Sequence, residues 1–298
     1  MTSLAPRVVL VSRQTEYAGL LAAHGTRGQA AFFLSGRGQS IDAVEARDQQ
    51  QEATILAAKH AVPQDWSLAH VSRDDLSRFL FFPNDIIVAI GQDGLVANVA
   101  KYLGPQPVIG VSPDPETSEG VLTRHRVKNL GRLLRATAHR DAGLQSRAMV
   151  QAEIGKGQGL TALNELFIGH RSHQSARYVV RVGEAEEFQS SSGMIVATGT
   201  GLTGWAKSIM SATHKRFEIA PEEPRAAYFA REPWPSRTTG CEISSGEIAG
   251  QNALFVSSRI NDGGVIFADG IEQDFLPFDW GVRARVTVSD RRLNLVID

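Results

Sequence analysis

Apolar residues are spaced differently in the two halves of the chain, and the difference predicts two kinds of layer. In the first half, short continuous apolar runs alternate with longer amphipathic stretches. Residues 8–11, 85–90 and 107–111 read as strands buried on both faces, and residues 66–72 alternate as a further strand. Between them lies a compact apolar run at residues 30–34, ended by Ser35, Gly36, Arg37 and Gly38. Helices are expected over residues 15–24, 41–60, 74–82, 95–103 and 127–141. Ser40 caps the longest of them, with Asp42 and Glu45 in its first turn, where carboxylates suit the helix dipole. This rhythm argues for a parallel sheet covered by helices.

After about residue 145 the rhythm changes to short alternating segments at 149–154, 163–168, 178–182, 194–198, 253–257, 265–267 and 286–288. Glycine-rich turns separate several of them and helix candidates are few, the pattern of a mainly antiparallel domain. The break at Asp141, Ala142 and Gly143 puts a boundary between residues 141 and 148. The expected fold is therefore a Rossmann-like α/β domain over 1–145, followed by an all-β, sandwich-like domain over 146–298. Residues 221–235 hold four prolines and are expected to form a surface loop.

Composition narrows the function classes. The chain has 298 residues, 42% hydrophobic and 21% charged, enough apolar surface for two ordinary cores. Thirty-one basic residues against 32 acidic give a net charge of −1, so no global pull toward nucleic acid or an anionic membrane is expected. The single cysteine, Cys241, excludes an intrachain disulfide and a cysteine-built zinc site. No run approaches the roughly 18 apolar residues of a membrane span, and the first apolar run is too short for a secretory signal, so a cytoplasmic location is expected.

Three stretches could carry chemistry. Gly91, Gln92, Asp93 and Gly94 join a buried strand to a helix, at the strand end where parallel sheets bind ligands. Glycines let a phosphate approach the backbone, and an aspartate there could bind a cation or take a proton from an attacking hydroxyl. An ordinary turn would use the same residues. Asn164 beside Glu165 could read an adenine edge and hold ribose hydroxyls, or could be a solvated strand end. The third stretch runs from Ser191 through Thr198, Gly199, Thr200, Gly201, Leu202, Thr203 and Gly204 to Trp205 and Ser208. Its crowded backbone amides and hydroxyls suit phosphate or ribose binding. Gly199, Gly201 and Gly204 have the spacing of a dinucleotide fingerprint, but residues 217–224 make a poor second strand. A hydride-transferring dehydrogenase is therefore disfavoured. Neither a P-loop lysine motif nor a nucleophile elbow occurs, and His170 and His173 read as solvent-facing.

The order of these pieces resembles the NAD kinase family and its diacylglycerol-kinase-like relatives, and more closely the mitochondrial-type branch. The likeness rests on the Asp93 turn, the stretch from Pro107 to Gly120, Asn164 and Glu165 with Gly169, and Ser191 to Gly193. Thr198 to Gly201, Trp205, Asp262 to Gly264, and Asp269 with Gly270 complete it. It covers about residues 80–295. The resemblance implies transfer of the ATP γ-phosphate to the 2′-hydroxyl of NAD's adenosine ribose, with bound Mg²⁺, giving NADP, and association as homodimers or larger homo-oligomers. It implies Asp93 as the general base or phosphate-and-metal organiser, with Gly91 and Gly94 leaving room for phosphates. Asn164 and Glu165 would hold the adenosine part of NAD, and Thr198, Thr200, Gly201, Thr203, Trp205 and Ser208 would complete the binding set. Gln92 stands where the family has a second glycine, and Leu95 where it usually has a threonine. Ser192 replaces a common aspartate, as in the mitochondrial-type branch. Gln92 and Leu95 motivate an alternative, a non-catalytic NAD or NADP-binding regulator. A third reading keeps the phosphotransfer but gives it a lipid or sugar hydroxyl.

Overall fold

The computed structural model describes residues 5–116, 120–155, 157–250 and 252–298. Thr117, Ser118 and Glu119, within the quoted stretch after Pro107, lie outside the described residues, as does Lys156. The chain divides into two compact units, Met1–Gln145 with Asn294–Asp298, and Ser146–Leu293.

The first unit is an α/β layer. Its strands and helices are β1 (Arg7–Ser12), α1 (Glu16–His24), α2 (Arg27–Ser35), α3 (Ile41–Ala61), β2 (Ser67–Ser72), β3 (Ile86–Ile90), α4 (Asp93–Ala100), β4 (Pro107–Val111) and α5 (Leu130–His139). The strands run parallel in the order β2-β1-β3-β4, with Val8 between Leu68 and Ile86 and with Ile87 beside Val108. Asn294 and Leu295 add a parallel neighbour beside Pro107 and Val108. Every residue of β3 is buried, as a strand covered on both faces requires. Thr15, Thr26 and Ser40 each accept a backbone N–H of the helix they precede, closing donors that a helix start leaves open. The apolar run at 30–34 lies in α2: Ala30 and Leu34 face inward at helical spacing, and Phe32 is left exposed. Residues 73–78 form a 3-10 turn that overlaps only the first part of the helix expected over 74–82.

One partly buried ion pair fixes the start of this sheet. Arg7 grips Asp85 with two bonds, Nε to Oδ1 at 2.9 Å and Nη2 to Oδ2 at 2.6 Å. Asp85 is 1% exposed and also accepts the Phe82 N–H, while the guanidinium lies over the rings of Phe79 and Phe82. Removing one partner strands a buried charge. Arg7→Ala is therefore expected to lower unfolding stability by about 3–5 kcal/mol, measured by urea denaturation, and Asp85→Asn in the same background should recover part of the loss.

The second unit is a sandwich. It comprises β5 (Leu144–Ile154), β6 (Gln158–Ala162), β7 (Glu165–His170), β8 (Ala176–Val182), β9 (Ala185–Ser191), β10 (Met194–Thr198), α6 (Trp205–Thr213), β11 (Arg225–Ala230), β12 (Ser245–Ala249), β13 (Leu254–Ser258), β14 (Gly264–Ala268), β15 (Ile271–Pro277) and β16 (Arg283–Val296). One antiparallel sheet has the order β12-β11-β10-β7-β14-β15, and the other carries β16-β13-β8-β9 with β5 and β6 at its side. Between them Leu166, Ile168, Tyr178, Val180, Val196, Tyr228, Val256 and Ile266 form the core. α6 covers the other face of the first sheet, packing Ala206 and Ile209 with Ile195, Ala197, Phe229 and Phe267. The proline-rich segment 221–235, expected as a surface loop, contains β11 instead, an inner strand whose Ala226 to Ala230 are buried. Its prolines stand outside the strand, at positions where no ladder hydrogen bond is lost. Among the described residues, no helix is long and apolar enough to cross a membrane.

Candidate functional site

In the second unit, three segments far apart in sequence converge on Asn164. The Asp269 turn, between β14 and β15, aims its carboxylate at the entry to β7. Asp269 Oδ2 accepts the Leu163 N–H at 2.9 Å, and Oδ1 accepts those of Asn164 at 2.7 Å and Glu165 at 3.2 Å. Asp269 holds this pose at φ 50°, a left-handed conformation that aspartate tolerates better than most residues. From the other side, the Thr198 N–H donates to the Asn164 carbonyl at 2.9 Å, and Thr198 Oγ1 donates to the Leu163 carbonyl at 2.5 Å. The same hydroxyl accepts the Gly201 N–H at 3.2 Å.

Gly201 is there because nothing larger fits. A Cβ at this position would lie 2.1 Å from the Asn164 carbonyl oxygen. The glycine thus serves close approach of two backbones. Thr200 is buried and accepts a bond from Arg147 Nη1 at 3.2 Å, and Thr203 Oγ1 donates to the Thr200 carbonyl at 2.9 Å. Asn164, Glu165, Thr198 and Gly201 are thus joined in one bonded cluster through Asp269 and Thr198, and Thr200 and Thr203 belong to the same turn as Gly201. Trp205 and Ser208 spend their contacts elsewhere. The indole stacks on Phe167 at 6.1 Å between centroids, under Arg231, and Ser208 Oγ donates to the Trp205 carbonyl on the exposed side of α6.

Two members of the cluster escaped sequence reasoning as site residues. Asp269 sits in an Asp-Gly turn, which marks a hairpin without revealing that the carboxylate reaches residues 163–165. Arg147 lies in β5 between Ser146 and Ala148 and is 2% exposed. It precedes the strand expected from residue 149, and residues 147–150 are all buried, so no alternation marked it, although a buried charge is rarely without a partner.

Glu165 carries the electrostatic consequence. Burial, reinforced by the charge of Asp269, pushes its carboxyl up from the ordinary 4.5 to about 7. The native state then holds a proton that the unfolded chain has released between these two values. The stabilisation is full below about pH 4.5 and is lost as pH rises through about 7. Glu165→Gln cannot ionise, so its stability relative to wild type should climb between pH 5 and 8, by up to about 3 kcal/mol. Paired thermal melts across that range measure it, and parallel pH curves for the two proteins would refute the burial.

In the first unit, Asp93 opens α4 at the end of β3 but does not cap its own helix. Its carboxylate receives the segment after Gly120. Oδ1 accepts the N–H groups of Leu122 at 3.0 Å and Thr123 at 2.8 Å and the Thr123 hydroxyl at 2.8 Å, and Oδ2 accepts the Val121 N–H at 2.9 Å. Oδ1 is thereby saturated and Oδ2 keeps acceptor capacity. Gly110 lets this segment cross β4, since a Cβ there would lie 2.1 Å from the Leu122 carbonyl oxygen. Gly94 opens onto free space, whereas Gly91 faces the Leu95 side chain. Leu95 is 3% exposed, so that position serves the core. Gln92 is exposed and borders a cavity of about 210 Å³ in this unit, with Arg13, Thr15, Arg47, Gly91 and Ser112 among its walls. Arg47 is paired with Glu16 at 2.8 Å.

No family model matches the chain. A stretch of 149 residues is 30% identical to an NAD kinase of Pyrococcus abyssi, covering 47% of this chain and 50% of that protein. The chain thus spans about half the length of the curated relative it matches. Among solved structures, an NAD kinase from Archaeoglobus fulgidus in complex with ATP superposes with a TM-score of 0.58 at 17% identity, over 98% of this chain and 93% of that one. Yeast NADH kinase complexed with NADH gives 0.61 at 13% identity, over 100% and 84%. At these identities the structural likeness shows the fold, an α/β unit followed by a β sandwich.

Proposed function

We propose that this chain belongs to the NAD kinase family and transfers the γ-phosphate of ATP to the 2′-hydroxyl of NAD's adenosine ribose, so making NADP. The observation that carries the proposal is the bonded cluster of Asn164, Glu165, Thr198 and Gly201. The sequence resemblance marks Asn164 and Glu165 for the adenosine part of NAD, and Thr198 and Gly201 for the rest of the binding set. In this reading Asn164 and Glu165 offer an amide and a carboxyl to the adenosine, and the hydroxyls and amides of the 198–203 turn complete its surroundings. Asp93, with the spare acceptor capacity of Oδ2, takes the proton of the attacking hydroxyl or orders the phosphates.

Among the described residues, no group of three or more His, Cys, Asp or Glu side chains could hold a metal ion. Asp93, whose Oδ2 keeps acceptor capacity, is the carboxylate that would meet Mg²⁺ carried on the nucleotide's phosphates. When bound, the metal would offset the charge of the transferring phosphoryl group. The relatives support the kinase family rather than its mitochondrial-type branch, and a cytoplasmic homodimer is part of the proposal. Purified protein incubated with ATP, Mg²⁺ and NAD should yield NADP, read by an NADP-specific dehydrogenase, and should elute as a dimer. Absence of product with ATP and also with polyphosphate would overturn the kinase reading. Binding of NAD or NADP without turnover would favour the regulator.

A further inference from the structure

The outer face of the sandwich sheet that carries β8 and β13 is unusually basic for a chain of net charge −1. Inward positions alternate with outward ones: Tyr178 and Ser258 are paired and fully buried, so their neighbours Arg177 and Arg259 face out together. The Arg259 N–H donates to the Arg177 carbonyl at 2.8 Å, which makes these two arginines direct cross-strand neighbours. Like charges in that position repel, with Cβ atoms about 4.5–5.5 Å apart. Among the described residues neither guanidinium is paired with a carboxylate. Arg177 stands opposite Ser190 on its other flank, and Arg259 lies 5.3 Å from the exposed Trp280 ring.

Both arginines line one groove of about 780 Å³, with Arg171, His173, Ser175 and Asn261 among its walls. The groove's carboxylate is Asp262, highly exposed and 3.8 Å from Arg171. His170 is spent within the loop: the Ser172 N–H donates to its Nδ1 and its Nε2 bonds to the Asp262 carbonyl, both at 3.0 Å. Three guanidiniums thus face one carboxylate, with hydroxyl and amide donors between them. On β16, Arg283 and Arg285 extend the same basic face, opposite Ser257 and Phe255, and Arg285 is 3.5 Å from Glu153.

We infer that this groove binds a phosphate-bearing anion with at least two adjacent phosphoryl groups. An uncompensated cross-strand arginine pair is costly in the empty protein. A diphosphate would turn that repulsion into two charge-assisted, fork-shaped contacts, with Arg171 and the Ser175 hydroxyl closing its flanks. This site is separate from the Asn164 cluster and does not depend on the kinase reading.

Inorganic pyrophosphate is the probe, titrated by calorimetry into the 298-residue chain at low ionic strength. Wild type should show a binding event that Arg177→Gln with Arg259→Gln weakens by at least about tenfold, since each lost guanidinium removes a charge-assisted bond. Arg283→Gln, on the same face but outside the groove, should leave affinity within a factor of about two. The unliganded double variant should also melt no lower than wild type, because relief of the repulsion outweighs loss of the exposed Arg259–Trp280 contact. Equal pyrophosphate affinity in wild type and double variant, or a lower melting temperature, would overturn the inference. So would binding confined to heparin or an oligonucleotide, which would make the face a macromolecular contact.

Discussion

Asp93→Asn should slow NADP formation by about 10²–10⁴-fold at saturating ATP and NAD, the usual cost of losing a group that moves a proton. The geometry explains why so small a change matters. The carboxylate accepts four bonds from residues 121–123. Asparagine keeps one acceptor oxygen and presents an NH₂ group to at least one backbone N–H, so two donors face each other. That leaves a donor unsatisfied, a cost of about 1–3 kcal/mol at a partly buried site. Loss of rate could therefore arise from a displaced segment or from a missing proton acceptor, and Thr123→Val separates the two. It removes one of the four donors and leaves the carboxylate intact. If Asp93 acts in the chemistry, Thr123→Val should cost no more than about tenfold, and NAD affinity by calorimetry should be within a few-fold of wild type in both variants. Turnover of Asp93→Asn equal to wild type would remove Asp93 from the reaction.

What could be read in advance follows from the range of each interaction. The strands of the first unit were legible because residues buried on both faces leave continuous apolar runs, as in Ile86–Ile90. The turn bearing Asp93 was legible for the same reason, since it follows such a strand. A run of five apolar residues does not fix the element type, and residues 30–34 settled into a helix through the Thr26 cap and the inward spacing of Ala30 and Leu34. β11 was hidden by prolines at 221, 224, 233 and 235, which border the strand without breaking it. β6, β9, β12 and β15 are outer or polar strands whose apolar content is too thin to stand out. Within the site, Asn164, Glu165 and the 198–203 turn were found as local groups of residue types. Their union through Asp269 was not, because that carboxylate bonds to N–H groups 104 to 106 positions away. No local pattern records a contact of that length. The raised proton affinity of Glu165 follows from its burial, and secondarily from the charge of Asp269, so it too needed the fold.

Gly201→Ala should abolish measurable NAD binding, weakening it by more than about 100-fold, and should lower stability by about 1–3 kcal/mol, the usual cost of forcing atoms into a packed site. The added Cβ would lie 2.1 Å from the Asn164 carbonyl oxygen and 2.7 Å from its carbon. These are backbone atoms, so no side-chain rotation relieves the clash. Asn164 cannot retreat freely either: Asp269 holds its N–H at 2.7 Å, and Thr198 holds its carbonyl at 2.9 Å. One of the two grips must open, and either opening separates the 198–203 turn from Asn164 and Glu165. Gly94→Ala supplies the contrast in stability, because a Cβ there meets nothing within 4 Å. It should melt within about 2 °C of wild type, or slightly above, since alanine is the better helix former. If Gly201→Ala bound NAD as wild type does, the close approach of these two backbones would have no part in recognising the nucleotide. The functional reading would then lose the observation on which it stands.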